Sequence, residues 1–349
     1  MHFFAAARNH ERFATSSSFG RKGNRRVTSV VQSLPVLVLC PHARCNCRCV
    51  MCDIWKDTSK SEITADELAG HLADIEKLSV KWVVFSGGEP LMHPDLFRLA
   101  DMLRSRGIRV TLLSTGLLLN RYAEKISTRI DDVILSLDGP PHIHDRIRRV
   151  PGAFSKLEQG VRAIHDLNRA YPISARCTIQ RLNYSSAGET VRVAKRLGLS
   201  SISFLAADLT SEAFNRFEPW DAYRQAEVAL TLEEVVTLER EFENISRDWH
   251  GTGFVAESAE KLRRISNQFR AQLGLAPYRA PRCNAPWVSA VVEANGTVRP
   301  CFFHRSIGSL KSNTLLQVLN GFEAQEFRAS LDVSSNPVCA RCVCSLNWK

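Results

Sequence analysis

From about residue 35 the chain alternates short, wholly apolar runs with longer segments whose apolar residues recur every three or four positions. The runs Val36–Leu39, Trp82–Phe85, Ile108–Leu113, Val133–Leu137, Ile173–Ile179 and Ile202–Leu205 predict strands. They are continuous rather than alternating, as parallel strands covered on both faces are. Between them, Thr64-Ala65-Asp66-Glu67 has the form of a capping box, and the helix it opens carries Leu68, Leu72, Ile75 and Leu78 on one stripe. A second helix begins near Pro94, bears Leu96, Leu99 and Leu103, and is closed by Gly107. Further helices are expected over 118–127, 154–169 and 186–197, the last ended by Gly198. Six strand–helix units predict an α/β fold, a partial (β/α)6 TIM-like barrel whose site lies at the C-terminal strand ends.

Four regions follow. Residues 1–34 read as a basic, mobile N-terminal extension, and 35–210 as the barrel. Residues 211–280 read as a helical linker containing Leu232–Ile245 and Ala256–Leu273. From 281 to 349 the composition shifts to cysteine, proline, asparagine and glycine, marking a small cysteine-rich second domain. No internal repeat or low-complexity tract is visible.

Charge narrows the function classes. The chain of 349 residues carries a formal +10, but residues 1–50 hold eight Lys/Arg against Glu11 alone, which is +7 and leaves +3 for the other 299 residues. The basic balance belongs to one end, which does not support a nucleic-acid groove but leaves room for an anionic substrate. No apolar run reaches the length of a membrane span. Eleven cysteines, odd in number and clustered in two places, read as reduced thiols serving metal in a cytoplasmic setting. Residues 1–30 lack the apolar core of a secretory signal.

The first cluster is Cys45-Asn46-Cys47-Arg48-Cys49-Val50-Met51-Cys52. Cys45, Cys49 and Cys52 are separated by three and two residues, so three thiolates can reach one metal centre from one loop. Three ligands suit a closed zinc site poorly and leave one iron of a four-iron cluster open. The spacing resembles the cluster motif of the radical S-adenosylmethionine (SAM) superfamily, whose fourth iron holds the methionine part of SAM. Met51 stands where an aromatic is usual.

Further segments strengthen that resemblance. Gly87-Gly88-Glu89-Pro90 ends the second strand; its glycines allow close backbone approach, and Glu89 offers an acceptor to an ammonium group. It resembles the superfamily segment that grips the SAM amino group. Ser136-Leu137-Asp138-Gly139 resembles a segment whose serine, with a downstream arginine, contacts SAM. By offset that arginine is Arg148, with Arg146 and Arg149 as rivals; a guanidinium fork suits a carboxylate. Ser114-Thr115-Gly116 stands where relatives often carry Thr-Asn-Gly. The resemblance thus implies SAM contacts at Met51, Gly87, Gly88, Glu89, Pro90, Ser136, Asp138 and Arg148.

The second cluster of cysteines comprises Cys283, Cys301, Cys339 and Cys342. Asn295-Gly296 predicts a hairpin that draws Cys283 and Cys301 together, and Cys339-Ala340-Arg341-Cys342 supplies a pair. The arrangement resembles the twitch domain, a shortened one-cluster relative of the SPASM domain, and implies an auxiliary 4Fe-4S cluster closed by four thiolates. Cys344 is a rival ligand, and a zinc ribbon is the structural alternative. Cys40 and Cys177 read as core residues, Cys47 as a bystander, His42 and His304 as structural. Asp208, just past the sixth strand, faces the expected mouth as a candidate base.

The resemblance implies a radical SAM oxidoreductase: reductive cleavage of SAM gives a 5′-deoxyadenosyl radical that takes hydrogen from substrate. The auxiliary cluster then relays an electron, and a flavodoxin or ferredoxin donates the first one. The twitch spacing points to a polar small molecule, sugar- or aminocyclitol-like. A peptide maturase is the alternative; the thirty-five or so residues before the first strand are too few for a leader-binding domain, which tilts against it. A non-catalytic zinc or iron–sulfur protein is the third reading.

Overall fold

The six apolar runs become the parallel strands β1 (Val36–Leu39), β2 (Trp82–Phe85), β3 (Arg109–Ser114), β4 (Asp132–Ser136), β5 (Ile173–Ile179) and β6 (Ile202–Ala206), hydrogen-bonded in sequence order. The computed structural model describes residues 30–216 and 218–349. Residues 1–29 of the expected extension lie outside the described residues. The expected boundary at 34 is too late: Val31 exchanges hydrogen bonds with the Asn320 amide, and Leu34 is fully buried. Apolar side chains anchor this stretch to the body of the molecule.

Helices α1 (Ala65–Lys77), α2 (Leu96–Arg104), α3 (Leu119–Arg129), α4 (Pro141–Arg148), α5 (Ala153–Leu167) and α6 (Ala187–Arg196) follow the strands. The capping box of α1 forms in full: Glu67 N–H donates to Thr64 Oγ1 and Thr64 N–H to Glu67 Oε2. Helix α4 is the one barrel helix that the apolar pattern does not predict. Its sequence, PHIHDRIR, offers only Ile143 and Ile147 as apolar positions, and Pro141 sits where the first turn tolerates it.

Strand alternation divides the core. Leu37, Leu39, Val83, Phe85, Val110, Leu112, Val133 and Leu135 face the helices. Val36, Val38, Trp82, Val84 and Ile134 face the lumen, where Val291 and the half-buried Phe302 and Trp348 meet them. Full burial of each such aliphatic side chain contributes about 1.5–3 kcal/mol, so this core dominates the stability of the barrel.

The linker holds α7 (Ala222–Val228), α8 (Leu232–Asp248) and α9 (Ala259–Gln272). Ile202 N–H donates to Phe254 O and Ala256 N–H to Ile202 O, covering part of the free edge of β6. No helix of the described residues is long and apolar enough to cross a membrane.

Past residue 281 the chain re-enters the same sheet. After the short α10 (Ala285–Val288), β7 (Ser289–Val292) pairs in parallel with β1, from Val36–Ser289 to Leu39–Val292. Strands β8 (Thr297–Arg299) and β9 (Gly308–Ser309) extend it antiparallel to nine strands. The expected Asn295-Gly296 turn forms, with Gly296 at φ +83°. The first strand of the cysteine-rich region is therefore continuous with the barrel sheet, which composition alone does not reveal.

Candidate active site

The cysteine loop leaves β1 and is held from two sides. Arg48 N–H donates to Arg148 O at 3.2 Å and Val50 N–H to Ile147 O at 3.0 Å, tying the loop to the last turn of α4. That junction brings Arg148 to the cysteine loop. The Arg148 side chain is buried, reaches Asp138 Oδ2 at 2.5 Å through Nη2, and donates through Nη1 to Cys49 Sγ at 3.4 Å. Thr178 N–H donates to the other Asp138 oxygen at 2.9 Å. Asp138, expected to touch SAM, is held here by Arg148 and Thr178. Burial raises its carboxyl pKa and Arg148 works against that rise, while Asp138 holds the guanidinium charged.

The three thiols of the motif share one loop, although among the described residues no three His, Cys, Asp or Glu side chains are drawn in as closely as a bound metal would hold them. Cys52 lies within electrostatic reach of Cys49 and Cys45, and Ile54 N–H donates to Cys52 Sγ at 3.4 Å. Cys47 is buried and hydrogen-bonds to both Cys45 and Cys49, which drives its own pKa up. Hydrogen bonding from Cys47, then the charge of Arg148, draws Cys49 down to about 6, whereas burial pushes Cys52 up to about 12. Amide, thiol and guanidinium donors aimed at sulfur favour thiolate, the form that binds iron. Cys47, expected as a bystander, is a sulfur neighbour of two candidate ligands.

Gly87 and Gly88 lie against the chain that leads into the cysteine loop. A Cβ on Gly88 would stand 2.0 Å from Arg44 O, and one on Gly87 would stand 2.6 Å from His42 O. Both glycines let the strand end press against residues 40–44, which lead into the cysteine loop. Pro90 opens a single 3₁₀ turn, Pro90–Met92. Glu89 is fully buried and accepts from Leu91 N–H at 3.1 Å, Ser114 Oγ at 3.0 Å, and Thr115 N–H and Oγ1, both at 2.6 Å. Burial raises its pKa against these hydrogen bonds. The Thr115 hydroxyl also meets the Asn46 amide at 3.0 Å. The Asn46 atom that faces it is Oδ1, and Asn46 Nδ2 has no partner among the described residues. Ser136 is half-buried at the end of β4, and Met51 packs partly buried against Val50, Leu209 and Trp220.

The linker supplies partners that carry no motif. Trp220 Nε1 donates to Asp53 Oδ2 at 2.6 Å, Lys56 pairs with Asp53 Oδ1 at 2.8 Å, and Arg224 donates to Val50 O. Asp208 accepts from the buried Arg216 and from Ser211, so the candidate base is engaged in an ion pair. Phe214 stacks on Phe302 with centroids 6.2 Å apart and meets Phe303 edge-on. Those two aromatics directly follow Cys301. Residues 208–224 thus touch the loops of both cysteine groups; no local signal reveals this, because the partners are up to 174 residues apart.

The second group comes together as the hairpin predicted. Cys339 lies within electrostatic reach of Cys301 and Cys283, and Cys342 of Cys301. Burial raises Cys301 to about 11 and Cys339 to about 12. Arg264 of α9 lies near Cys342, Cys344 and Cys283, and donates to Cys342 O at 3.3 Å. Gln268 holds Arg341 O at 2.8 Å, and His304 Nε2 lies 3.3 Å from Cys339 Sγ. Cys344 packs in the main core, its carbonyl accepting from the Cys342 thiol at 2.9 Å. Two separate sets of thiols thus lie near one another in the fold, Cys52 with Cys49 and Cys45 and Cys339 with Cys301 and Cys283, and thiolates are the donors that four-iron clusters take.

The model of the radical SAM superfamily matches residues 39–194, and that of the SPASM iron-sulfur cluster-binding domain matches residues 283–343. The chain belongs to the radical SAM superfamily and carries a C-terminal SPASM domain. Iron–sulfur clusters and SAM are its cofactors. Among curated relatives, the AdoMet-dependent heme synthase of Methanosarcina barkeri is 30% identical over 161 residues, 45% of this chain and 46% of that protein. The PqqA peptide cyclase of Rhizobium meliloti is 25% identical over 317 residues, 87% of this chain and 78% of that protein. The match thus spans less than half the length of the heme synthase but most of the cyclase. Among solved structures, Streptococcus suis SuiB bound to S-adenosylmethionine has a TM-score of 0.66 at 14% identity, covering 91% of this chain and 74% of that one. Native anSMEcpe with bound AdoMet has a TM-score of 0.64 at 18% identity, covering 86% and 84%. These two show the shared fold of the radical SAM and SPASM domains.

Proposed function

We propose that this radical SAM enzyme modifies a peptide. One observation carries the reading: the similarity to a peptide cyclase runs through barrel, linker and SPASM domain, whereas the heme synthase matches cover less than half of the chain. The mycofactocin maturase of Mycobacterium tuberculosis, 28% identical over 163 residues, adds to it. These relatives favour the peptide alternative over the sugar-like substrate expected from the C-terminal spacing. A tetrapyrrole substrate is the second reading, resting on the heme synthase and the Fe-coproporphyrin III synthase of Methanosarcina barkeri.

When bound, the clusters and SAM supply one-electron cleavage to a carbon radical that removes a substrate hydrogen atom, with a second cluster to accept an electron afterwards. The chain's own residues hold and shield that chemistry. Cys45, Cys49 and Cys52 would hold the first cluster. Arg148, aimed by Asp138, suits the SAM carboxylate, and Glu89, fixed by Ser114 and Thr115, suits its ammonium group. Ser136 lines the same strand end. Cys283, Cys301, Cys339 and Cys342 close the second site, and a closed thiolate set favours electron relay over substrate ligation. A small flavodoxin or ferredoxin supplies the first electron.

Anaerobic co-expression with small peptides encoded beside the gene tests the reading. A change in peptide mass that disappears in Cys49→Ala supports it. Unmodified peptides together with conversion of an iron porphyrin would replace it with the second reading.

A further inference from the structure

Just past strand β5 stands a side chain that uses none of its hydrogen-bonding capacity among the described residues. Ile173, Ala175, Cys177 and Ile179 belong to the helix-side core, so Ser174, Arg176, Thr178 and, one step on, Gln180 take the lumen side. Gln180 is 0% exposed, and neither Oε1 nor Nε2 has a partner among the described residues. Its backbone is firmly placed. Gln180 N–H donates to Asn183 Oδ1 at 2.8 Å, and Asn183 Nδ2 reaches Asp138 O at 2.9 Å. Register pairs Ile179 with Ala206, which sets Gln180 beside Ala207. Ala207 shares an apolar cluster with Val50, Leu209 and Trp220, against which Met51 and Leu182 pack. Gln180 therefore lies at the barrel mouth, between Asp138 and the cysteine loop.

A primary amide sealed from water with both halves unpaired is costly, and a methionine of similar volume would avoid that cost. The amide offers donors and an acceptor in one plane. A planar edge that presents a donor beside an acceptor satisfies both in one approach, as adenine does with its amine and ring nitrogen. The apolar side chains beside it suit the flat faces of such a group.

We propose that Gln180 is a ligand-reading residue that receives a planar donor–acceptor edge at the mouth of the barrel. Two groups that come to this enzyme have that edge: the adenine of SAM, and the N–H and C=O of one extended residue of a peptide substrate. The peptide source rests on the peptide reading above; the SAM source does not.

The test compares the cluster-loaded enzyme with Gln180→Met. If SAM is the source, the variant binds SAM about tenfold more weakly, the factor that 1.4 kcal/mol represents, and no longer prefers SAM over an analogue with a hypoxanthine base. If the peptide is the source, SAM affinity holds while the KM for peptide rises and SAM cleavage runs without peptide modification. In either case the thermal midpoint of the SAM-free protein rises, because a buried unpaired amide is removed. Unchanged SAM binding overturns the proposal unless the peptide KM responds. A variant that melts earlier than the wild type, or fails to fold, also overturns it, since the amide would then have a partner within the protein.

Discussion

The two thiol groups of this protein are built in opposite ways. The first draws Cys45, Cys49 and Cys52 from eight consecutive residues and surrounds them with buried charge: Arg148 on Cys49, Asp138 behind Arg148, Glu89 beside the loop. The second gathers Cys283, Cys301, Cys339 and Cys342 across sixty residues. A strand, a hairpin and α9 bring them together, with Arg264 and His304 as polar neighbours. A site that must bind a charged cofactor and change its charge state carries paired, oriented ions. A site that passes electrons needs only a closed, dry set of thiolates. Residues 208–224 touch both through Trp220 and Phe214.

The sharpest way to break this contrast is Arg148→Ala. It strands the buried Asp138 carboxylate and removes the donor to Cys49, and breaking such a pair costs about 3–5 kcal/mol. Chemical denaturation should show the loss, SAM-induced changes in the cluster EPR spectrum should vanish, and the second cluster should survive. Gly88→Ala comes next. Its Cβ meets backbone oxygen rather than a movable side chain, so the loop must shift, and iron incorporation at the first site should fall severalfold as read by iron per chain.

Cys283→Ala separates the two sites by function. About half of the roughly eight irons per loaded chain should be lost, while 5′-deoxyadenosine still forms and oxidised product does not. Persistent product formation would end the relay assignment. Trp220→Phe should cost about 1–3 kcal/mol through the unpaired Asp53 oxygen, and show faster loss of iron to a chelator from the first cluster than from the second.

The smallest expected effect lies between the sites, at Glu257 before α9. It accepts from Phe204 N–H at 3.0 Å, and burial raises its pKa from an ordinary 4.5 to about 7. The folded state therefore holds this proton more tightly than the unfolded chain does. Its contribution to stability is intact below pH 4.5 and declines as pH rises toward 7. Glu257→Gln should flatten that decline in thermal melts across the same window.

Much of this was legible in the chain because the signals are local. The apolar runs lie within one residue of the observed strands, since a buried parallel strand admits little else. Cysteine spacing within one loop is a statement about reach, so the first thiol group could be read directly. Arg148 could be ranked above its neighbours only by offset; the structure brings it to the cysteine loop, against which α4 ends. The protein partners of Asp138 and of the two glycines were hidden for a similar reason. Each meets a partner from another loop, and spacing says nothing about which surface a residue will face.

The sequence by itself determined the alternation of strands and helices, the three-cysteine loop, the glycine turn that pairs the later cysteines, and the ionisable residues available at the strand ends. These depend on backbone preference and on contacts within a few residues. Tertiary structure alone decided that β7 would join β1, that Trp220 would hold Asp53, that Asp208 would be closed by Arg216, and that the Gln180 amide would be buried without a partner. Those outcomes depend on which distant surfaces are pressed together and cut off from water, and burial is a property of the packed whole.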